Sequence, residues 1–142
     1  MGLLRAHAAA MRALSAGLLA EHGLSINDYE ALLHLSNNPG GMRRVDLAEK
    51  LLLTASGVTR LLDGLEAAGL VERASCASDR RVTYAVLTEA GRSRLHKASV
   101  SHVAGVREFF ATRYSDEELE QLAGLLGRLP GAADSTHEDC SI

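Results

Sequence analysis

Tryptophan is absent from this 142-residue chain, phenylalanine occurs twice and tyrosine three times. A core cannot then rest on large rings. It has to come from Leu, Val and Ala, which suits packed helices better than a large sheet. Cysteine is equally sparse: Cys76 and Cys140 share no motif spacing, so neither a disulfide framework nor a metal knuckle is indicated. No apolar run approaches the roughly 18 residues that span a bilayer. Arg5 and Arg12 interrupt the N-terminal alanines, and no clean apolar stretch leads to a cleavage site. Residues 2–22 therefore read as a helix and not as a signal peptide, and a cytoplasmic location is expected. A glycine-rich phosphate loop and a nucleophile elbow are also missing. The six histidines (His7, His22, His34, His96, His102 and His137) show no zinc-ligand spacing. Nothing marks an enzyme, and neither a cofactor nor a metal is expected.

The apolar share of 46% is enough to bury a core, and the length suits one compact domain with helical extensions. The formal net charge is −3, yet it is unevenly spread. Residues 43–97 hold ten basic and seven acidic side chains; the rest of the chain holds five basic and eleven acidic. A basic centre between acidic ends suits a protein whose middle meets phosphate.

Periodicity and punctuation divide the chain. After the first helix, Gly23 is a stop, and Ser25 with Asp28 three residues on is a start. Tyr29, Leu32, Leu33 and Leu35 have helical spacing, and Asn37-Asn38-Pro39-Gly40-Gly41 ends that run. A short helix is predicted over about 45–51, with Leu47, Ala48 and Leu51 inward. Thr54 caps another over about 55–68. Its apolar side is Val58, Leu61, Leu62 and Leu65; its opposite side is Ser56, Thr59, Arg60 and Asp63, both at i, i+3, i+4, i+7. Residues 70–74 and 82–87 read as two antiparallel strands joined by the polar link 75–81. Thr88 caps a long helix to about Arg113. Ser115 and Glu118 form a capping box before a last helix carrying Leu119, Leu122, Leu125, Leu126 and Leu129, which Pro130-Gly131 ends. Residues 131–142 read as a loose acidic tail.

The expected fold is thus mainly α with a small β-hairpin. Two short helices joined at Leu52-Leu53-Thr54 make a helix-turn-helix, followed by a hairpin with a basic loop. The second helix presents small polar groups and one arginine, which is what reading base edges in a major groove about 12 Å wide demands.

The series Asp46-Leu47-Ala48, then Ser56-Gly57-Val58-Thr59-Arg60-Leu61-Leu62, then Leu65-Glu66-Ala67-Ala68-Gly69-Leu70-Val71, then Asp79-Arg80-Arg81 and Leu87-Thr88-Glu89-Ala90-Gly91 resembles the MarR family of bacterial transcription regulators. The resemblance is motif-level over about 45–92 and follows the element order over 2–130. It implies a winged helix-turn-helix lobe over 25–88, and a dimerisation bundle built from helices in 1–24 and 89–130. It also implies a pseudo-palindromic double-stranded DNA operator, and release by a small, often phenolic, effector or by thiol oxidation. One departure is Val45, where the family usually has a Ser or Thr helix cap, so the short helix is expected to fray there or to be capped otherwise.

The candidate DNA contacts are Arg43, Arg44, Thr54, Ser56, Thr59, Arg60, Arg73, Arg80 and Arg81. The resemblance implies that Arg80 or Arg81 enters the minor groove while Asp79 positions it. Tyr29, His7, His34 and His96 are the candidates for lining an effector pocket. Asp63 reads as structural or solvent-facing. Cys76 is either an incidental small residue or, beside several arginines, a redox-sensitive thiol. The favoured function is a homodimeric repressor. The alternatives are a winged-helix protein-interaction module without DNA binding, and a metal- or redox-sensing variant of the regulator.

Overall fold

The computed structural model describes residues 1–75 and 83–129. The candidates Asp79, Arg80 and Arg81, together with Cys76 and the tail, lie outside the described residues. By internal contact the chain forms two units, Met1–Gly105 and Val106–Ile142.

Helix α1 (Gly2–His22) ends where Gly23 takes φ 66° and returns its N–H to the carbonyls of Leu18 and Leu19. Helix α2 (Ile26–Ser36) begins at the expected start, which proves to be a capping box: Ser25 Oγ accepts from the Asp28 amide, and the Asp28 carboxylate accepts from the Ser25 amide. Strand β1 (Met42–Arg43) comes next, then α3 (Arg44–Lys50) and α4 (Ala55–Ala67). Strands β2 (Val71–Ser75) and β3 (Thr83–Leu87) precede α5 (Glu89–Ala111) and α6 (Asp116–Leu126). The last helix stops at Leu126, short of the expected Leu129, with Gly127 as its C-cap.

The sheet has three strands where the sequence suggested two. Its order is β1-β3-β2, antiparallel throughout, with Met42 opposite Ala85 and Val71 opposite Leu87. Two residues are too few to show an alternating pattern, and β1 follows a stretch whose composition says turn. Gly41 makes the pairing possible. It sits at φ 82°, and a Cβ there would lie 2.7 Å from the Ala85 carbonyl oxygen. Only glycine lets β1 approach β3 so closely.

The core of the first unit is aliphatic. Leu18, Leu32, Leu35, Leu47 and Val58 are its largest fully buried side chains, and Leu62, Leu65, Leu70, Val71, Ala85, Leu87, Leu95 and Ala98 join them. Each such burial contributes about 1.5–3 kcal/mol. The N-terminal end of α5 is pinned to this core. Thr88 Oγ1 accepts from the Gly91 amide at 3.0 Å and donates to the Gly69 carbonyl at 2.8 Å. In the second unit α6 begins at a second capping box, Ser115 with Glu118, as the spacing predicted. Phe109 and Phe110 meet edge-on at 5.2 Å, and the Arg113 guanidinium lies over the Phe109 ring at 4.4 Å.

Gly91 leaves the least room for a side chain of any glycine among the described residues. A Cβ there would come within 2.0 Å of the Leu70 carbonyl oxygen, a backbone atom that cannot swing aside. Gly91→Ala should therefore destabilise the protein by roughly 1–3 kcal/mol, the usual cost of overpacking. Urea unfolding followed by circular dichroism measures it, and a variant as stable as the wild type would show that α5 can slide off β2.

Candidate nucleic-acid interface

Burial of one side of α4 decides what its other side presents. Val58, Leu62 and Leu65 are buried, with Leu61 packed at the edge of the core. Ser56 and Arg60 are consequently exposed, Thr59 is half-buried, and Asp63 faces solvent. Thr54 is the N-cap: its Oγ1 accepts from the Gly57 amide at 3.1 Å and lies 3.2 Å from Ser56 Oγ. Between α3 and α4 the chain turns through Leu52, a non-glycine residue at φ 53° that is 91% exposed. The expected helix-turn-helix is present with its polar stripe outward.

The arginines around this stripe differ in what holds them. Arg60 has no ion pair among the described residues. Arg44, on α3, reaches across and donates from Nη1 to Thr59 Oγ1 at 3.2 Å, while Thr59 donates to the Ala55 carbonyl at 2.7 Å. Arg43 is the N-cap residue of α3, so the cap lies two positions before Val45, where the sequence comparison had looked for it. It supplies no capping side-chain acceptor. Instead Nε and Nη2 each donate to an Asp46 carboxylate oxygen at 2.8 Å, strapping the first turn together. These hydrogen bonds hold the Asp46 carboxyl below its ordinary value and the Arg43 guanidinium above its own. Arg73 on β2 donates from Nη2 to Asp63 and forms an ion pair with Glu66, Nε to carboxylate oxygen at 2.9 Å. Asp63 is therefore structural, one of the two readings its position allowed. Together Arg43, Arg44, Thr59, Arg73 and Tyr84 border a cleft of about 450 Å³.

The four residues proposed to line an effector pocket do not share one environment. His7 and His96 are exposed, and the His34 carbonyl accepts from Asn38 Nδ2 at 2.8 Å. Tyr29 is 7% exposed, and its neighbours come from α5: Ser99 Oγ at 3.2 Å and the His102 ring at 4.8 Å between centroids. His102 was not among the sequence candidates. The signal was available, because Ser99 and His102 are three apart and share one side of a helix. What the sequence could not say is which helix that side meets. Nearby, His22 Nε2 lies 2.5 Å from Ser101 Oγ, and Arg94 donates to the His22 carbonyl at 2.7 Å. Among the described residues no group of three or more His, Cys, Asp or Glu side chains is placed to hold a metal. No helix among them is long and apolar enough to cross a membrane.

Comparison with known proteins decides the family. The MarR family model matches residues 22–82. The transcriptional regulator MhqR of Bacillus subtilis is 32% identical over 117 residues, 82% of this chain and 79% of MhqR. The chain belongs to the MarR family. Solved structures of MarR proteins agree. AbsC of Streptomyces coelicolor superimposes with a TM-score of 0.74 at 38% identity, covering 87% of this chain and 86% of AbsC. Sco3205 of the same organism, solved in complex with DNA, gives 0.80 at 26% identity over 87% and 78% of the two chains. CouR of Rhodococcus jostii, bound to p-coumaroyl-CoA, gives 0.74 at 27% identity over 88% and 86%. MarR proteins are transcription regulators and not enzymes, and this chain is a regulator of that family with its winged helix-turn-helix lobe.

Burial lowers the His102 pKa from its ordinary value of about 6.5. The folded imidazole then stays neutral at a pH where the unfolded chain has already taken up a proton. Stability should be insensitive to this group above about pH 6.5 and should fall as the pH drops below it. Comparing urea midpoints at pH 7.5 and 5.5, His102→Phe should lose less stability on acidification than the wild type. Equal losses would show that His102 is solvated.

Proposed function

We propose that this MarR protein is a sequence-specific double-stranded DNA-binding repressor that acts as a cytoplasmic homodimer. The observation that carries the reading is the outward stripe of Ser56, Thr59 and Arg60 on a helix whose other side is sealed in the core. Arg60, which has no ion pair among the described residues, is the main candidate for a bidentate contact with guanine. Ser56 and Thr59 supply short hydroxyls, and Arg44 and Thr54 flank them as phosphate contacts. Arg80 or Arg81, positioned by Asp79, enters the minor groove in this reading, on the strength of the family resemblance. Sco3205, solved in complex with DNA, supports DNA binding as such by analogy.

The dimer is proposed from apolar surface with no partner in a single chain. Leu3, Leu4 and Leu19 of α1 are more than half exposed, as are Val100 of α5 and Leu125 of α6. Regions 1–24 and 89–130 would pair with those of a second copy, so that two recognition helices lie about one helical turn apart on a pseudo-palindrome. A small aromatic effector would modulate the complex, and the acyl-CoA bound by CouR supports a ligand of that kind.

Selection of bound duplexes from a random pool tests DNA binding and symmetry together. The expected product is a motif with two inverted half-sites. Arg60→Ala should lose about 1–3 kcal/mol of discrimination at one base pair of each half-site, measured by electrophoretic shift against point-mutated operators. Sedimentation should give a dimer at micromolar concentration. A monomer, or a pool that stays random at low salt, would overturn the reading.

A further inference from the structure

We propose that Arg73 is a positioning residue of the DNA-binding lobe, which holds the outer half of β2 on the recognition helix, and not a phosphate contact. The proposal rests on the DNA-binding reading above, but it makes one claim that stands without DNA.

Strand β2 is an edge strand, paired to β3 on one side only. Its root is well fixed: the Leu70 amide bonds the Leu65 carbonyl at 2.9 Å, and Leu70 and Val71 are buried. Past Val71 that grip ends, because Glu72, Arg73 and Ser75 are exposed. Among the described residues the polar link from this outer half to α4 is the Arg73 guanidinium. It spans Asp63 and Glu66, which are three apart and share one side of the helix. The contacts use two nitrogens held in one plane, Nε against the Glu66 carboxylate and Nη2 against that of Asp63. An ammonium offers no such fork.

Charge argues against a phosphate role. Two carboxylates share one guanidinium, so the cluster is net negative and a phosphate approaching Arg73 also approaches Asp63 and Glu66. Exposed ion pairs contribute only about 0–1 kcal/mol to global stability. Their worth here lies in direction, since the strand they hold leads into the hairpin loop.

A double-mutant cycle separates the two roles. Operator affinity and its salt dependence are measured for the wild type, Arg73→Ala, the double variant D63N/E66Q, and the triple variant. A positioning role predicts that Arg73→Ala costs about fivefold in affinity in the wild-type background, and little in the D63N/E66Q background where Arg73 has lost both carboxylate partners. It also predicts an unchanged slope of log K against log salt. A phosphate contact predicts a loss in both backgrounds and a slope smaller in magnitude by about 0.9, and that result would overturn the proposal. The second measurement uses free protein: amide hydrogen exchange across Val71–Ser75 should quicken several-fold in Arg73→Ala and in D63N/E66Q alike, and stay at the wild-type rate in Arg60→Ala. Unchanged exchange in Arg73→Ala would also overturn it. If the wild type bound no duplex, the DNA-binding reading would fail, and the exchange result would still decide whether Arg73 holds the strand.

Discussion

The structure depends on the burial of one side of the helix-turn-helix. Leu47, Val58, Leu62 and Leu65 enter a core that also takes side chains from α1, α2, the sheet and α5. Four aliphatic side chains at about 1.5–3 kcal/mol each outweigh any polar preference in this small lobe. Because those positions are committed inward at helical spacing, Ser56, Thr59 and Arg60 have nowhere to go but outward. The outward polar stripe is therefore a by-product of core packing, and the caps at Thr54 and Ser25 only set where each helix begins.

Around that apolar seam the charged groups arrange themselves in pairs. Arg43 answers Asp46, and Arg73 answers Asp63 and Glu66. A chain with net charge −3 can in this way carry a surface suited to phosphate. Arg43 offsets Asp46 and Arg73 offsets part of the charge of Asp63 and Glu66, while Arg60 has no ion pair among the described residues and Arg44 contacts Thr59. Membership of the MarR family gives this arrangement its context, and the winged lobe seen in its solved relatives is the same architecture.

Legibility in the sequence varied with the range of the interaction. The Ser25 start, the Ser115 capping box, the Thr54 cap, the Gly23 stop and the apolar stripe of α4 were readable, because each involves residues three or four apart. Strand β1 was not, because its two residues pair with residues more than forty positions away and carry no pattern of their own. The same holds for Arg73: its spacing from Asp63 says nothing until a strand returns beside the helix. Tyr29 is a candidate on the sequence, but His102, its neighbour from α5, could be identified only once α2 and α5 were packed.

The order of the elements, their caps, the polar stripe and the family kinship belong to the sequence alone, because helix periodicity and capping are local hydrogen-bond and burial rules. Which arginines are tied to carboxylates, which histidine packs on Tyr29, and how the third strand joins the sheet were decided only by the tertiary structure. Those outcomes depend on side chains that are distant along the chain arriving within about 3 Å of one another, and no local pattern encodes that distance.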